Sequence, residues 1–336
     1  MSLLAAVAAT SLAVAASSKV IFDTDFVMPP TDDGLALILA LGSPELDILG
    51  ITTVAGNDSV ERATSDALRT LEIARRTEIP VYRGANMPLV HEKSDYAQGV
   101  HGNWWSDDPP PAPPGGFAKK RAERESAMDF MVRTVMEHPG EVTILAIGPL
   151  TNVAMALRQE PRFAASVKGL TIMGGAVALL PDGAGNITPN AEFNFWVDPE
   201  AARIVLRSGI PIQLSPLNVS RKTKLTREWY EKMVLVETPL TLLLKETMGP
   251  RYAKEPGSVL LMYDQVAVAS FIDPTLVKTE ELYVDVDDAH GIDYGVSVGG
   301  RSVWPGAEGA KKMAVQYDLD WERFIRFFIE RAQRFQ

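Results

Sequence analysis

Four carboxylates crowd into one short stretch of the chain: Asp23-Thr24-Asp25 and then, after six intervening residues, Asp32-Asp33. Carboxylates this close repel one another and resist removal from water. A hard cation relieves both penalties, because Ca²⁺ and Mg²⁺ prefer oxygen ligands. The acids follow the apolar run Lys19-Val20-Ile21-Phe22, which reads as a buried strand, and residues 33–41 read as a helix. They therefore lie on a strand-to-helix loop, the edge at which open α/β sheets place ligands. A single acid at a helix start is ordinary capping, and Asp32 can serve as such a cap. All four together read as a site.

Further polar segments end elements in the same way. Thr52-Thr53-Val54-Ala55-Gly56-Asn57 closes a strand, and the Asn57 amide can point into the same edge, although Gly-Asn is also plain turn chemistry. Ile147-Gly148-Pro149-Leu150-Thr151-Asn152 offers a backbone carbonyl suited to an oxygen-ligand set; the plainer reading has Thr151 or Asn152 capping the next helix. Met173-Gly174-Gly175 lets backbone pass close to a ligand, and Gly185-Asn186 and Ala191-Glu192-Phe193-Asn194 follow. Glu192 and Asn194 point the same way if their segment is extended. Amides and carboxylates suit neutral polyols, whose hydroxyls each need a donor and an acceptor. Tyr263-Asp264 opens an apolar helical stretch, where Asp264 reads first as an N-cap.

The elements that must position these residues alternate. Residues 46–54, 80–84, 142–147, 169–173 and 210–214 read as strands, and residues 59–77, 126–138, 150–159 and 198–208 as helices. Asp198-Pro199-Glu200 is a strong helix start, with a capping Asp, Pro at the first helical position and Glu on the dipole. This rhythm predicts an α/β fold: an open, mostly parallel twisted sheet flanked by helices, Rossmann-like at its core. Two stretches break it. Residues 86–125 hold His101-Gly102-Asn103-Trp104-Trp105 and a Pro-rich run, a length that suits a lid, a binding loop or a disordered insert. Residues 225–269, with Trp229, Met233, Leu242 and Tyr263, read as a helical cap over the C-terminal strand edge. Residues 282–287 and 294–298 look like a late hairpin or sheet edge, and residues 320–335 like a final amphipathic helix.

Composition narrows the classes. The 336 residues are 46% hydrophobic and 23% charged, enough for a sizeable core. A net charge of −10 argues against nucleic acid or an anionic membrane as partner. The absence of cysteine excludes thiol catalysis, disulfides and zinc-thiolate sites, and the four histidines show no paired ligand spacing. The first 18 residues are apolar and Ala-rich, and Ala13-Val14-Ala15 resembles a cleavage site, though the basic start of a leader is missing. A secretory signal peptide is expected, with a periplasmic or secreted protein; a flexible extension would leave it cytoplasmic. Residues 19–336 then form one catalytic domain.

The set D-T-D…D-D, V-A-G-N, G-P-L-T-N, M-G-G and A-E-F-N, in this order from about Lys19 onward, resembles the inosine-uridine preferring nucleoside hydrolases, which cleave the N-glycosidic bond of ribonucleosides. The resemblance implies that Asp25, Asp33, Asp264 and the Ile147 carbonyl bind Ca²⁺, and that Asp25 is also the general base on a bound water. It implies that Asp32 and Asn57 hold the ribose 2′- and 3′-hydroxyls, with Asn186, Glu192 and Asn194 on the remaining hydroxyls and Met173 lining the pocket. Asp23 stands behind the ligands, and His101 matches a loop histidine near the base. A small-molecule nucleoside substrate and a homo-oligomer, dimer or tetramer, are expected.

Two departures from the family pattern stand out. Six residues, Phe26-Val27-Met28-Pro29-Pro30-Thr31, separate Asp25 from Asp32 where three, commonly beginning Pro-Gly, are usual. Tyr263 stands where many members carry His and purine-preferring members Trp. Tyrosine is a poor proton donor near neutrality but stacks well, so with Trp104 and Trp105 it favours a purine. Two other readings compete. A haloacid-dehalogenase-type phosphohydrolase shares the D-x-D opening but needs a later Lys and a Gly-Asp acid motif, neither found in convincing context. A non-catalytic calcium-dependent ribose or nucleoside binder would keep the fold and lose turnover.

Overall fold

The structure, a computed structural model, describes residues 17–29, 31–92 and 109–335. His101, Trp104, Trp105 and nearly all of the N-terminal extension lie outside the described residues. Strand β1 (Ser18–Thr24) shows how the sheet is built. Val20 and Phe22 enter one hydrophobic layer and Ile21 the other, the two-residue period of a strand covered on both faces.

From β1 the chain runs through α1 (Asp32–Leu41), β2 (Leu46–Thr53) and α2 (Val60–Ile73) to β3 (Val81–Arg83). It then returns through α3 (Ala127–Glu137) to β4 (Thr143–Ala146) on the other side of β1. From there α4 (Thr151–Gln159), α5 (Phe163–Ser166), β5 (Gly169–Met173), α6 (Phe193–Val197), α7 (Pro199–Leu206) and β6 (Ile212–Ser215) continue outward. Next come α8 (Leu217–Ser220), α9 (Arg227–Met233), α10 (Pro239–Lys254), α11 (Asp264–Ile272), β7 (Val277–Val286), β8 (Ser297–Gly300), β9 (Lys311–Leu319) and α12 (Trp321–Ala332). The described strands form one sheet in the order β3-β2-β1-β4-β5-β6-β9-β7-β8, parallel from β3 to β9 and antiparallel through β7 and β8. Strand order reverses between β1 and β4, so a crevice opens there at the carboxyl ends of the strands.

Local chemistry sets several boundaries. Ser59, Ser126 and Asp198 cap α2, α3 and α7 by accepting from the backbone N–H groups of Arg62, Asp129 and Ala201, each worth about 1 kcal/mol. Helix α2 ends at Ile73, four residues short of the expected 77, because Arg75 turns to φ +56°. Strand β9 was not expected: its buried Met313 and Val315 are flanked by lysines and by the buried polar Gln316, which donates to Ser270 Oγ at 2.9 Å. The late hairpin is present as β7–β8, with β9 inserted between it and β6. Helices α9 and α10 extend the core layer that holds α1, through Tyr230, Met233, Leu240 and Leu244. Only the end of that stretch, Tyr263 and Asp264, lines the crevice among the described residues.

Candidate active site

Asp23 sits at the end of β1, fully buried and opposite Thr52 of β2 in register. Its Oδ1 accepts from Thr52 Oγ1 at 2.6 Å and from Asn152 Nδ2 at 2.8 Å. Burial pushes this carboxyl up to about 6, against the pull of those two donors. Asn152 also donates to the Thr53 carbonyl at 3.0 Å and accepts from Ala85 N at 2.9 Å, so it ties the ends of three strands together. The capping reading of Thr151 and Asn152 is therefore corrected. Leu150 holds the cap position of α4 without a side-chain bond, and Thr151 Oγ1 donates to Asp198 Oδ2 at 2.6 Å. Both side chains are drawn to buried carboxylates on neighbouring elements, the stronger acceptors.

Asp25 projects from the loop after β1 and is likewise buried. Its Oδ2 accepts from Asn57 N at 2.7 Å, while Oδ1 is buried without a hydrogen-bond partner among the described residues. Two glycines make room for it. A Cβ on Gly56 would overlap the Asp25 carboxylate, and one on Gly148 would lie 2.7 Å from Asp25 Oδ1. Asp33 accepts from Thr24 Oγ1 on one oxygen and from Asn57 Nδ2 at 2.7 Å on the other. Neither Asp32 nor Asp264 acts as a cap. Each is the first residue of its helix, and the preceding Thr31 and Tyr263 make no side-chain cap bond. Instead, one carboxylate oxygen from each of Asp32, Asp33 and Asp264 falls within 4.8 Å of the others. Gln265 Nε2 holds the Asp32 carbonyl at 3.0 Å.

Burial and mutual repulsion raise the carboxylates of this cluster. Burial pushes Asp25 up to about 7, with the Asp32 charge adding to it. Burial, then the charges of Asp25 and Asp32, hold Asp33 well above the usual carboxylate range. Asp264 is raised in the same way, by burial and then by Asp32, Asp33 and Asp25. Among the described residues, no basic side chain lines the crevice. The Asp25 Oδ1, without a hydrogen-bond partner among the described residues, and the carboxylate oxygens of Asp32, Asp33 and Asp264 fit a hard divalent ion. This group includes Asp32, expected on ribose, and not Asp25, expected on the metal, although the Asp25 charge acts on Asp33.

The cavity lining also holds amides and a further carboxyl. Glu192 is the N-cap of α6, accepting from Asn194 N at 2.8 Å, Phe195 N at 3.1 Å and Gly175 N at 2.9 Å. Burial still pushes it up to about 7. Glu192 and Asn194 are thus not two residues of an extended segment but a cap and the first turn of a helix, and both reach the crevice. Asn194 Nδ2 donates to the carbonyls of Ile147 at 3.1 Å and Met173 at 3.2 Å, and Asn186 Oδ1 accepts from Phe193 N at 2.9 Å.

An open cavity of about 160 Å³ lies among these residues. Asp25, Asp32, Asn57, Ile147, Met173, Asn186, Glu192, Asn194, Tyr263 and Asp264 all line it, and Asp33 lies behind them. Burial, then the Asp32 charge, pushes the Tyr263 phenol up to about 12. Phe193, Thr24 and Gln265 were not singled out from sequence, although Thr24 and Phe193 sit inside the D-T-D and A-E-F-N motifs and were legible there. The long loop between Asp25 and Asp32 is anchored by apolar side chains, with Phe26 and Met28 buried in the core around α1. Gly34 lets Pro29 lie directly on the helix start.

Residues 20–326 match the family model described as inosine-uridine preferring nucleoside hydrolase. The pyrimidine-specific ribonucleoside hydrolase RihB of Escherichia coli O17:K52:H18 is 32% identical over 326 residues, spanning 93% of this chain and 98% of the relative. Among solved structures, the plant nucleoside hydrolase PpNRh1 superposes with a TM-score of 0.79 at 30% identity, covering 94% of this chain and 99% of the other. A purine-preferring ribonucleoside hydrolase from Gardnerella vaginalis gives a TM-score of 0.79 at 28% identity, covering 94% and 98%.

Proposed function

Because the chain belongs to the inosine-uridine preferring nucleoside hydrolase family, we propose that it hydrolyses the N-glycosidic bond of ribonucleosides with a bound Ca²⁺, purine nucleosides being preferred. It is an N-glycosyl hydrolase by family. The observation that carries the finer reading is the lining of one cavity, where Asp25, Asp32 and Asp264 meet the amides of Asn57, Asn186 and Asn194 and the carboxyl of Glu192.

Asp33, Asp264, Asp25 and the Ile147 carbonyl would hold the ion, with Asp32 close enough to share it. A bound Ca²⁺ would offset the carboxylate charge and lower the pKa of a water held against it. Asp25, whose Oδ1 has no hydrogen-bond partner among the described residues, would take a proton from the attacking water. Asp32 and Asn57 clamp the ribose 2′- and 3′-hydroxyls, and Asn186, Glu192 and Asn194 take the others, holding the ring for an oxocarbenium-like transition state. Asp23 keeps the strand ends in place through Asn152 and Thr52. Tyr263 stacks on the leaving base. The relatives divide on the base, one pyrimidine-specific and one purine-preferring; the aromatic ring of Tyr263 at the cavity supports the purine reading.

The test is ribose release from inosine, guanosine, adenosine, uridine and cytidine, before and after chelation and after return of Ca²⁺ or Mg²⁺. Purine nucleosides should give the higher kcat/KM, and Ca²⁺ should restore activity. A higher kcat/KM on uridine or cytidine overturns the base preference, and undiminished turnover in chelator overturns the metal.

A further inference from the structure

The loop from Asp25 to Asp32 carries no glycine among its six residues, yet it must deliver acids from both its ends to one cavity. Phe26 and Met28 anchor its side chains, but apolar burial does not orient a peptide group. One polar link to α2 does so: the Met28 backbone N–H donates to Asp66 Oδ2 at 3.1 Å. Asp66 is only 3% exposed, a place where a carboxylate needs partners. Its second partner is Arg62, one turn earlier on α2, whose Nε lies 3.7 Å away. Arg62 Nη1 reaches back to Asp58 Oδ2 at 2.7 Å. Asp58 follows Asn57, which donates its backbone N–H to Asp25 and its side-chain amide to Asp33.

These contacts close a ring. It runs from the cavity residue Asn57 through Asp58, Arg62 and Asp66 to Met28, and along the chain back to Asp25. We propose that Asp66 is a positioning residue for hydrolysis: by holding the Met28 peptide, with Arg62 as the strut to the Asn57 loop, it sets the spacing between Asp25 and the Asp32-Asp33 pair. It touches no substrate and acts through the loop. The inference rests on the reading of the cavity as the active site.

The experiment compares wild type with Asp66→Ala, Asp66→Asn and Arg62→Ala, using backbone amide exchange over residues 26–31 and ribonucleoside kinetics. In Asp66→Ala, Met28 amide protection should fall and kcat should drop about 100-fold, the scale of an ångström-sized misplacement of catalytic groups. KM for ribose-containing substrates should change less. Asp66→Asn keeps an acceptor for the Met28 N–H and should restore protection and kcat to within about threefold. Arg62→Ala should lie between them, and it stands in should Asp66→Ala not fold. Unchanged Met28 exchange in Asp66→Ala overturns the proposal, as does lost protection with wild-type kcat, or an Asp66→Asn protein as impaired as the alanine variant. Wild-type protein that releases no ribose from any nucleoside would instead sink the functional reading, while Met28 exchange would still decide whether Asp66 holds the loop.

Discussion

Asp25 has the attributes of a proton acceptor before any ligand is considered. One of its oxygens is buried without a hydrogen-bond partner among the described residues, while the other accepts from Asn57 N at 2.7 Å. A carboxylate oxygen left free in this way can take a proton from a substrate or a water. Asp25→Asn preserves the shape and the Asn57 contact but removes the base. We expect kcat to fall by about 10²–10⁴-fold, with the thermal transition near that of wild type; near-normal turnover in a folded variant would refute the assignment. Tyr263 has a different task, since burial keeps its phenol protonated at any working pH. Tyr263→Ala should lower kcat/KM on inosine and guanosine about three- to tenfold, the worth of one aromatic stack. Uridine and cytidine should lose less, and equal losses on both classes would count against stacking.

At the scale of elements, the site depends on strand ends that share side chains. Asn152, at the start of α4, bonds β1 through Asp23, β2 through Thr53 and the segment after β3 through Ala85. Asn152→Ala would leave the Ala85 N–H without its partner and Asp23 with Thr52 alone on Oδ1. Each buried group left unsatisfied costs about 1–3 kcal/mol. Urea unfolding should show that loss, and kcat should fall with it because Asp23 adjoins the catalytic loop. A stability change under about 0.5 kcal/mol would mean that water replaces the amide without penalty. The six-residue loop belongs to this scale as well. It is twice the usual length and lacks glycine, and two buried apolar anchors and a tie to α2 hold it.

For the whole molecule, the buried carboxylates predict a distinctive dependence of stability on pH. Asp198 is raised to about 6 and Glu192 to about 7, each mainly by burial. A raised folded-state pKa means that the native state binds more protons than the unfolded chain between the two pKa values. Their stabilising contribution is complete below the unfolded carboxylate range and is lost as pH rises through about 6 to 7. Metal-free protein should therefore melt at a lower temperature at pH 8 than at pH 5. Ca²⁺ should add about 2.7 kcal/mol at a hundred times its Kd by mass action, and one fixed Ca²⁺ concentration should raise Tm more at pH 8 than at pH 5, because ionised carboxylates bind the ion more tightly. A chelated protein whose Tm climbs from pH 5 to pH 8 would show that other charges outweigh these carboxylates.

Short-range patterning determined a great deal on its own. Apolar runs, capping residues and the strand–helix rhythm specified the α/β class and the strands from β1 to β6, because those signals act within a few residues. The order of the acid and amide motifs picked out ten residues that meet in one cavity. Tertiary structure alone decided how they meet. Asp32 joins Asp33 and Asp264, Glu192 becomes a helix cap, and Thr151 and Asn152 turn from capping to bind buried carboxylates. It also inserted β9, whose mixed lysine and apolar pattern gives little local signal, between β6 and β7. The physical reason is separation along the chain: Asp23 and Asn152 are 129 residues apart, and Gln265 reaches an Asp32 carbonyl 233 residues away. Local propensity fixes what each segment becomes, but only the packing of both faces of the sheet sets the distances between segments on which this chemistry depends.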